Sequence, residues 1–195
     1  ITNQGIDSNL VQEAINNINQ LPELRIDFEN QDIPNQSMLL GPINQLMETF
    51  VYLVTETCYW QPKTHLTEKI FKPIVLRMPF VLLGPAHSLE YLRSYGFKTF
   101  SEFWDESYDS VADPGLRVQA VVDILERIAG MSHAEQTSMR RDMKNIIDYN
   151  FDHLFQTLRP IVVDEFVTNL SAALREHSVA YSAADLGQLY RAMVN

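Results

Sequence analysis

Charged residues at the start of a predicted helix have the types and spacing that suggest chemistry. In "THLTEKIFKPIVLRMPFVLLGP" (residues 64–85), Thr67 has the side chain of a helix N-cap, and three charged residues follow it: Glu68, Lys69 and Lys72. The helix dipole favours anions at this end, so lysines there suggest a bound anion such as a phosphate group. The alternative is a capping acid and a solvated lysine, with Lys72 forming an i, i+4 pair with Glu68.

Apolar runs on both sides of this helix predict a strand–helix–strand unit. "FVYLVTET" (50–57) and "PFVLL" (79–83) are rich in apolar, mostly β-branched and aromatic residues and predict buried strands, and "FKTF" (97–100) predicts a third. Helices are predicted between them at about 67–77 and 88–96. Continuous apolar strands that alternate with helices favour a parallel sheet covered on both faces.

The carboxyl ends of the first two strands supply further candidate residues, because ligands of parallel α/β sheets bind outside these ends. Glu56 ends the first strand and either orients the helix start or contacts the ligand. Gly84 ends the second strand, where its backbone approaches a ligand or forms a plain turn. Pro73 removes a hydrogen bond to the Lys69 carbonyl and is expected to kink or end the first helical turn.

The whole chain is expected to form one α/β domain of 195 residues. An amphipathic helix in "SNLVQEAINNINQL" belongs to an N-terminal segment of about residues 1–40, the predicted sheet to 41–112, and a helical part to 113–195. In that last part, Asp113-Pro114 begins a helix that ends at Gly130, and Ser132 with Glu135 forms a capping box. The chain lacks an initiator Met, so we expect it to be a processed product or part of a longer protein.

Composition excludes several classes of protein. A net charge of −10 argues against non-specific binding to DNA or anionic membranes, and no apolar run is long enough for a spanning helix. A single cysteine, Cys58, excludes a disulfide framework and favours the cytoplasm; at a strand end it is expected to be a small buried thiol. The glycines form neither GxGxxG nor a P-loop, and the histidines have no metal-ligand spacing.

The segment "FWDESYDSVADP" concentrates four acids, which either hold a hard cation or supply a general base: Asp105, Glu106, Asp109 and Asp113. We favour the simpler interpretation that they stabilise turns and helix starts. The segment also contains two aromatic residues, Trp104 and Tyr108. One interpretation is that they stack on a base or a sugar; the commoner outcome for such residues is a place in the core. No strict Asp-x-Asp is present.

The residues of this region resemble a known family. "VYLVTET", followed by "HLTEKIFKPIVLRMPFVLLGP", resembles the donor-binding segment of fucosyltransferase-type GT-B glycosyltransferases. Continued through "SLEYLRSYGFKTFSEFWDESYD", it is similar to a group of uncharacterised, mostly viral, glycosyltransferase-like proteins. The resemblance covers about residues 50–110, and its core is Thr67-Glu68-Lys69 with Pro79 and Gly84.

The resemblance implies a Rossmann-like parallel sheet, the donor-binding half of a GT-B enzyme, with a helical C-terminal part. The ligand it implies is a nucleoside diphosphate sugar, with GDP and UDP both open, and no metal. Carried over, Glu68 binds the ribose hydroxyls, Lys69 the diphosphate, and Thr67 caps the helix. His65 and Leu66 stand where the family has an aromatic residue, so His65 is a candidate contact to the base or phosphates.

The expected function is therefore transfer of a sugar from a nucleoside diphosphate to an acceptor hydroxyl. In two-domain enzymes of this kind, the acceptor site and the catalytic base come from the other domain, so no catalytic residue is assigned within this chain. The alternative is a non-catalytic module that has kept the nucleotide-sugar fold and serves in binding or assembly.

Overall fold

A computed structural model describes residues 8–20, 46, 48–61, 63, 65–177 and 181–194. Contacts divide the chain into two units, residues 1–36 and 37–195, and each is described by itself. In the first unit, helix α1 spans Ser8–Gln20. This confirms the predicted amphipathic helix, since apolar residues recur in it at helical spacing.

The second unit is built on a parallel strand–helix–strand motif. Strand β1 is Tyr52–Thr55, helix α2 is Glu68–Val75 and strand β2 is Phe80–Leu83. The strands pair in parallel, with Tyr52 opposite Phe80 and Thr55 opposite Leu83. The predicted α/β class is confirmed, in the form of a small two-stranded sheet among the described residues, accompanied mostly by helices.

The two strands differ in burial, which corrects the expectation of a sheet covered on both faces. In β2, Phe80, Val81 and Leu82 are all buried, as their continuous apolar sequence predicts. In β1 only Val54 is buried, whereas Leu53 is 39% exposed. Thr55 is exposed on the same side as Leu53, so this face of β1 is open to solvent.

The prediction of a third strand at residues 97–100 is wrong. Side chains, and not a neighbouring strand, form the hydrogen bonds to this stretch of backbone. Asn150 accepts a hydrogen bond from the Lys98 N–H at 2.8 Å and donates one to the Lys98 carbonyl at 2.9 Å. The Phe100 N–H donates to Glu106 at 2.7 Å. Phe97 and Phe100 still point into the core, which explains why the sequence resembles a strand.

The other described elements of this unit are helical: α3 (Ser88–Ser94), a 3-10 turn (Ser107–Ser110), α4 (Pro114–Ala129), α5 (His133–Asp142), α6 (Lys144–Gln156), α7 (Leu158–Glu176) and α8 (Ala183–Val194). The helical part predicted from residue 113 onward is confirmed. Asp113 caps α4, and Ser132 with Glu135 forms the predicted capping box of α5. These signals are local, so the sequence alone is enough to read them.

The core lies between the sheet and the helices, with Val54, Ile70, Ile74, Val81, Leu82 and Ile147 among its buried residues. Trp104 and Tyr108 are each only 3% exposed and belong to this core. Phe100 packs against Trp104 with a centroid separation of 5.3 Å. Their core interpretation is confirmed, and neither ring is exposed for stacking on a ligand.

Candidate functional site

Glu56 holds the start of helix α2. It follows β1 directly, and its side chain is fully buried. Its carboxylate accepts a hydrogen bond from the backbone N–H of Thr67 at 3.1 Å and another from the Thr67 hydroxyl at 2.6 Å. The interpretation that Glu56 orients the motif is therefore confirmed by direct contact.

Thr67 is the N-cap of α2, as its position in the sequence predicts. Its backbone is extended, and its hydroxyl oxygen accepts a hydrogen bond from the Lys69 N–H at 3.3 Å. The same hydroxyl donates to Glu56, so one side chain joins the helix terminus to the end of β1. This arrangement fixes where the next two residues, Glu68 and Lys69, begin the helix.

The side chain of Lys69 points back across the N-terminus of α2 toward two acidic side chains. Its ammonium Nζ lies 3.3 Å from the Thr67 hydroxyl, 3.4 Å from Glu68 Oε1 and 4.0 Å from Glu56 Oε2. Its side chain is 34% exposed. The lysine that looks out of place at a helix N-terminus is thus stabilised by a buried carboxylate beneath it and an accessible one beside it.

Glu68 is the accessible carboxylate of this site. Its pKa is lowered, first by a hydrogen bond from backbone N–H at the helix start and further by Lys69 and Lys72. Glu68 is therefore ionised at neutral pH, and its carboxylate accepts hydrogen bonds. A pair of sugar hydroxyls is one kind of donor that such a group can bind.

Gly84 brings the end of β2 against Glu56. A Cβ at this position would lie 2.5 Å from Ser88 Oγ and 3.7 Å from Glu56 Cγ, so the site has room only for glycine unless Ser88 moves. Its carbonyl accepts a hydrogen bond from Arg117 Nε at 3.0 Å. The Gly84 carbonyl is therefore already hydrogen-bonded within the protein, as expected if Gly84 forms a plain strand-to-helix turn.

Arg117 is a residue of the sheet edge that the sequence reasoning missed. Its side chain is buried, and its guanidinium donates to the carbonyls of Gly84, Val111 and Tyr59. It thereby ties the turn after β1 and the end of β2 to the start of α4. The signal was available, because Arg117 falls on the buried stripe of α4 with Val121, Ile124 and Ile128.

Asp109 binds the N-terminus of α3 through its carboxylate, as Glu56 binds that of α2. Its buried carboxylate accepts from the N–H groups of Leu89 at 2.9 Å and Glu90 at 3.0 Å. Asp105 accepts from Ser107, and Glu106 pairs with Arg93 at 3.2 Å. With Asp113 capping α4, the interpretation as turn and helix stabilisers is confirmed for Asp105, Asp109 and Asp113, whereas Glu106 accepts from a loop N–H and pairs with Arg93.

The remaining candidates lie around this centre. His65 Nδ1 is 3.1 Å from the Lys63 carbonyl, and the ring lines a cleft of about 260 Å³ together with Tyr91 and Tyr95. Lys72 lies in the last turn of α2, away from its N-terminus. The helix continues two residues beyond Pro73, so the proline does not end it.

Cys58 differs from its expected place. It lies in the turn after β1, with a left-handed φ of 65°, and is half-buried instead of fully buried in a strand. Across the described residues, no group of three His, Cys, Asp or Glu side chains is arranged to hold a metal ion. In the same part of the chain, no helix is long and apolar enough to cross a membrane.

Comparison with family models, curated proteins and solved structures finds no match for this chain. The resemblance to glycosyltransferases therefore depends on the residues quoted above. The structure adds the geometry of the Thr67–Lys69 motif and of the two strand ends beside it.

Proposed function

We propose that this chain is the donor-binding half of a GT-B-type glycosyltransferase, with a Rossmann-like parallel sheet. It binds a nucleoside diphosphate sugar, with GDP or UDP as the nucleotide, and the sugar passes to an acceptor hydroxyl. The acceptor site and the catalytic base belong to a second domain. A reducing compartment such as the cytoplasm suits the half-buried free thiol of Cys58.

One observation carries the proposal: Glu68 and Lys69 occupy the first turn of the helix that links two parallel strands. This is the edge of a parallel sheet at which nucleotides commonly bind. Both side chains are about one-third exposed. A ligand therefore has access to an anionic and a cationic group that lie side by side. His65, two residues before the Thr67 cap, lines a separate cleft of which Glu68 and Lys69 are not part.

Each group has a distinct role in donor binding. Glu68, ionised at neutral pH, accepts hydrogen bonds from the ribose hydroxyls. Lys69 leaves its acidic neighbours and meets the diphosphate, where its charge stabilises the negative charge that develops as the sugar departs. The lysine supplies this stabilisation from the protein itself, so the proposed transfer proceeds without a metal.

Glu56 sets the strength of this interaction. Its buried carboxylate lies 4.0 Å from Lys69 Nζ, too far for a hydrogen bond but close enough for attraction. A diphosphate must therefore compete with Glu56 for the lysine. We expect modest affinity for the nucleotide alone, because part of the lysine charge is already neutralised.

The role of Glu68 is tested by calorimetry with ribonucleoside diphosphates and their 2′-deoxy and 3′-deoxy analogues. Wild-type protein is expected to bind the ribonucleotide about tenfold more tightly, since each lost hydrogen bond to a charged group costs about 1.5 kcal/mol or more. Glu68→Gln is expected to remove most of this preference. Glu126→Gln, an exposed change on α4, is the matched control.

A non-catalytic binding or assembly module is the second candidate function. It is favoured because Glu56 already binds the start of α2 and Asp109 that of α3, so neither helix start needs an external anion. The charge of Lys69 is also balanced by Glu56 without a ligand. Exposed apolar side chains on α6 and α7, Phe155, Val162 and Phe166, also suit a surface for assembly. Failure of GDP, UDP, ADP and their sugars to bind, together with concentration-dependent self-association, favours this function over transfer.

A further inference from the structure

A second group of cations lies at the opposite end of the strand pair. Arg77 precedes β2, and Arg140, Arg141 and Lys144 lie where α5 meets α6. Together with Thr137, Ile147 and Asp148, these four residues line a cleft of about 400 Å³. The cleft is at the amino ends of the strands, whereas Glu56 and Gly84 mark the carboxyl ends.

The charge of this cleft contrasts with that of the chain. The protein carries 25 acids and 15 lysines and arginines, yet the cleft is lined by four cations and a single acid, Asp148. Asp148 is shared between Arg77, at 2.6 Å, and Lys144. Within the described residues, no carboxylate pairs with Arg140 or Arg141, so the lining keeps an excess of positive charge.

Arg140 is held in place by backbone groups. Its guanidinium donates to the carbonyls of Thr49 at 3.3 Å and Arg77 at 3.4 Å, and lies 3.5 Å from that of Phe50. These neutral acceptors position the side chain without neutralising its charge. Arg140 also lines an adjoining cleft together with Thr49, Phe50 and the acid Glu48, so it lies between two open spaces.

We propose that this cleft binds the phosphate group of a small phosphorylated ligand. The planar guanidinium groups of Arg140 and Arg141 match the oxygens of a phosphate, and Lys144 adds a point charge on the next helix. The excess of about three positive charges suits a dianion better than a carboxylate. A volume of about 400 Å³ is that of a small-ligand site and leaves room for more than the phosphate alone.

The test is calorimetry with sodium phosphate as the probe, and with sodium acetate and sodium chloride at matched ionic strength. Phosphate is expected to bind saturably, and acetate and chloride are not. The double variant Arg141→Gln, Lys144→Gln should bind phosphate about tenfold more weakly or worse, because charged hydrogen bonds are lost. Arg191→Gln, which removes one exposed charge on α8, should leave the affinity unchanged.

The variant Lys69→Gln separates this site from the proposed donor site. Phosphate binding to the cleft should survive that change, whether or not nucleotides bind elsewhere. The proposal is overturned if phosphate shows no saturable binding, if acetate binds as well as phosphate, if Arg191→Gln weakens binding as much as the double variant, or if Lys69→Gln abolishes it.

Discussion

The carboxylate of Glu56 receives both the backbone N–H and the hydroxyl of Thr67, at 3.1 and 2.6 Å, and so joins the end of β1 to the start of α2. The anion at this helix start is therefore a side chain of the protein. Lys69 lies over it and is attracted to the same carboxylate. This relationship connects the stability of the fold with the binding proposed for the site.

Glu56→Ala is expected to destabilise the protein by about 2–4 kcal/mol, because it removes a buried carboxylate and leaves the N–H and hydroxyl of half-buried Thr67 without their acceptor. Chemical denaturation with urea measures the change. Glu126→Ala, an exposed change on α4, is expected to cost less than about 0.5 kcal/mol and serves as the control. Equal stability of the two variants would contradict the assigned role.

Glu56→Gln is expected to strengthen the binding of nucleoside diphosphates by about fivefold, since it frees Lys69 from a competing charge near 4.0 Å. The amide keeps an acceptor for Thr67, so the helix start is largely retained. Titration calorimetry at low salt measures the affinity. Weaker binding by this variant would instead mean that Glu56 contacts the ligand directly.

Arg117→Met is expected to cost about 3 kcal/mol or more, because the carbonyls of Gly84, Val111 and Tyr59 lose a buried donor. Arg127→Met, at an exposed position of the same helix, should cost less than about 1 kcal/mol. Urea denaturation of both variants gives the comparison. A similar small loss in each would show that Arg117 does not tie the turn after β1 to the end of β2.

Glu106 is expected to give the fold a measurable pH dependence. Burial raises the pKa of its carboxyl above that of an ordinary glutamate, against the opposing effect of hydrogen bonds from Thr99 and Phe100. The folded protein therefore keeps this proton to a higher pH than the unfolded chain, so the stability it provides is present below the unfolded pKa and is lost as pH rises through the folded pKa.

The measurement is the free energy of unfolding of wild type and Glu106→Gln between about pH 4 and pH 7. Wild type should lose stability relative to the variant as pH rises through this range. A constant difference between the two proteins, or one of the opposite sign, would contradict the assignment to Glu106.

Local signals explain the parts of the fold that the sequence predicts well. Thr67, Asp113 and Ser132 each accept from a backbone N–H within three residues along the chain, so each helix start is encoded nearby. Strand β2 is also predicted from a local signal, its continuous apolar sequence. The burial of this strand follows from that composition alone.

Distant contacts explain the parts that sequence reasoning could not reach. Asn150 replaces a strand partner for Lys98 from 52 positions away, and Asp109 caps a helix that starts about 20 residues before it. Neither pairing leaves a periodic pattern. Arg117 is different, because its place on an apolar helical stripe could have identified it as buried.

The affinity of Lys69→Gln for the nucleoside diphosphate that wild type binds most tightly tests the central claim most directly. We predict saturable binding of GDP or UDP by wild type, a loss of about tenfold or more in the variant, and little change for Arg191→Gln. Equal affinity in wild type and Lys69→Gln, or no binding of GDP, UDP or ADP by wild type, would contradict the donor-binding function.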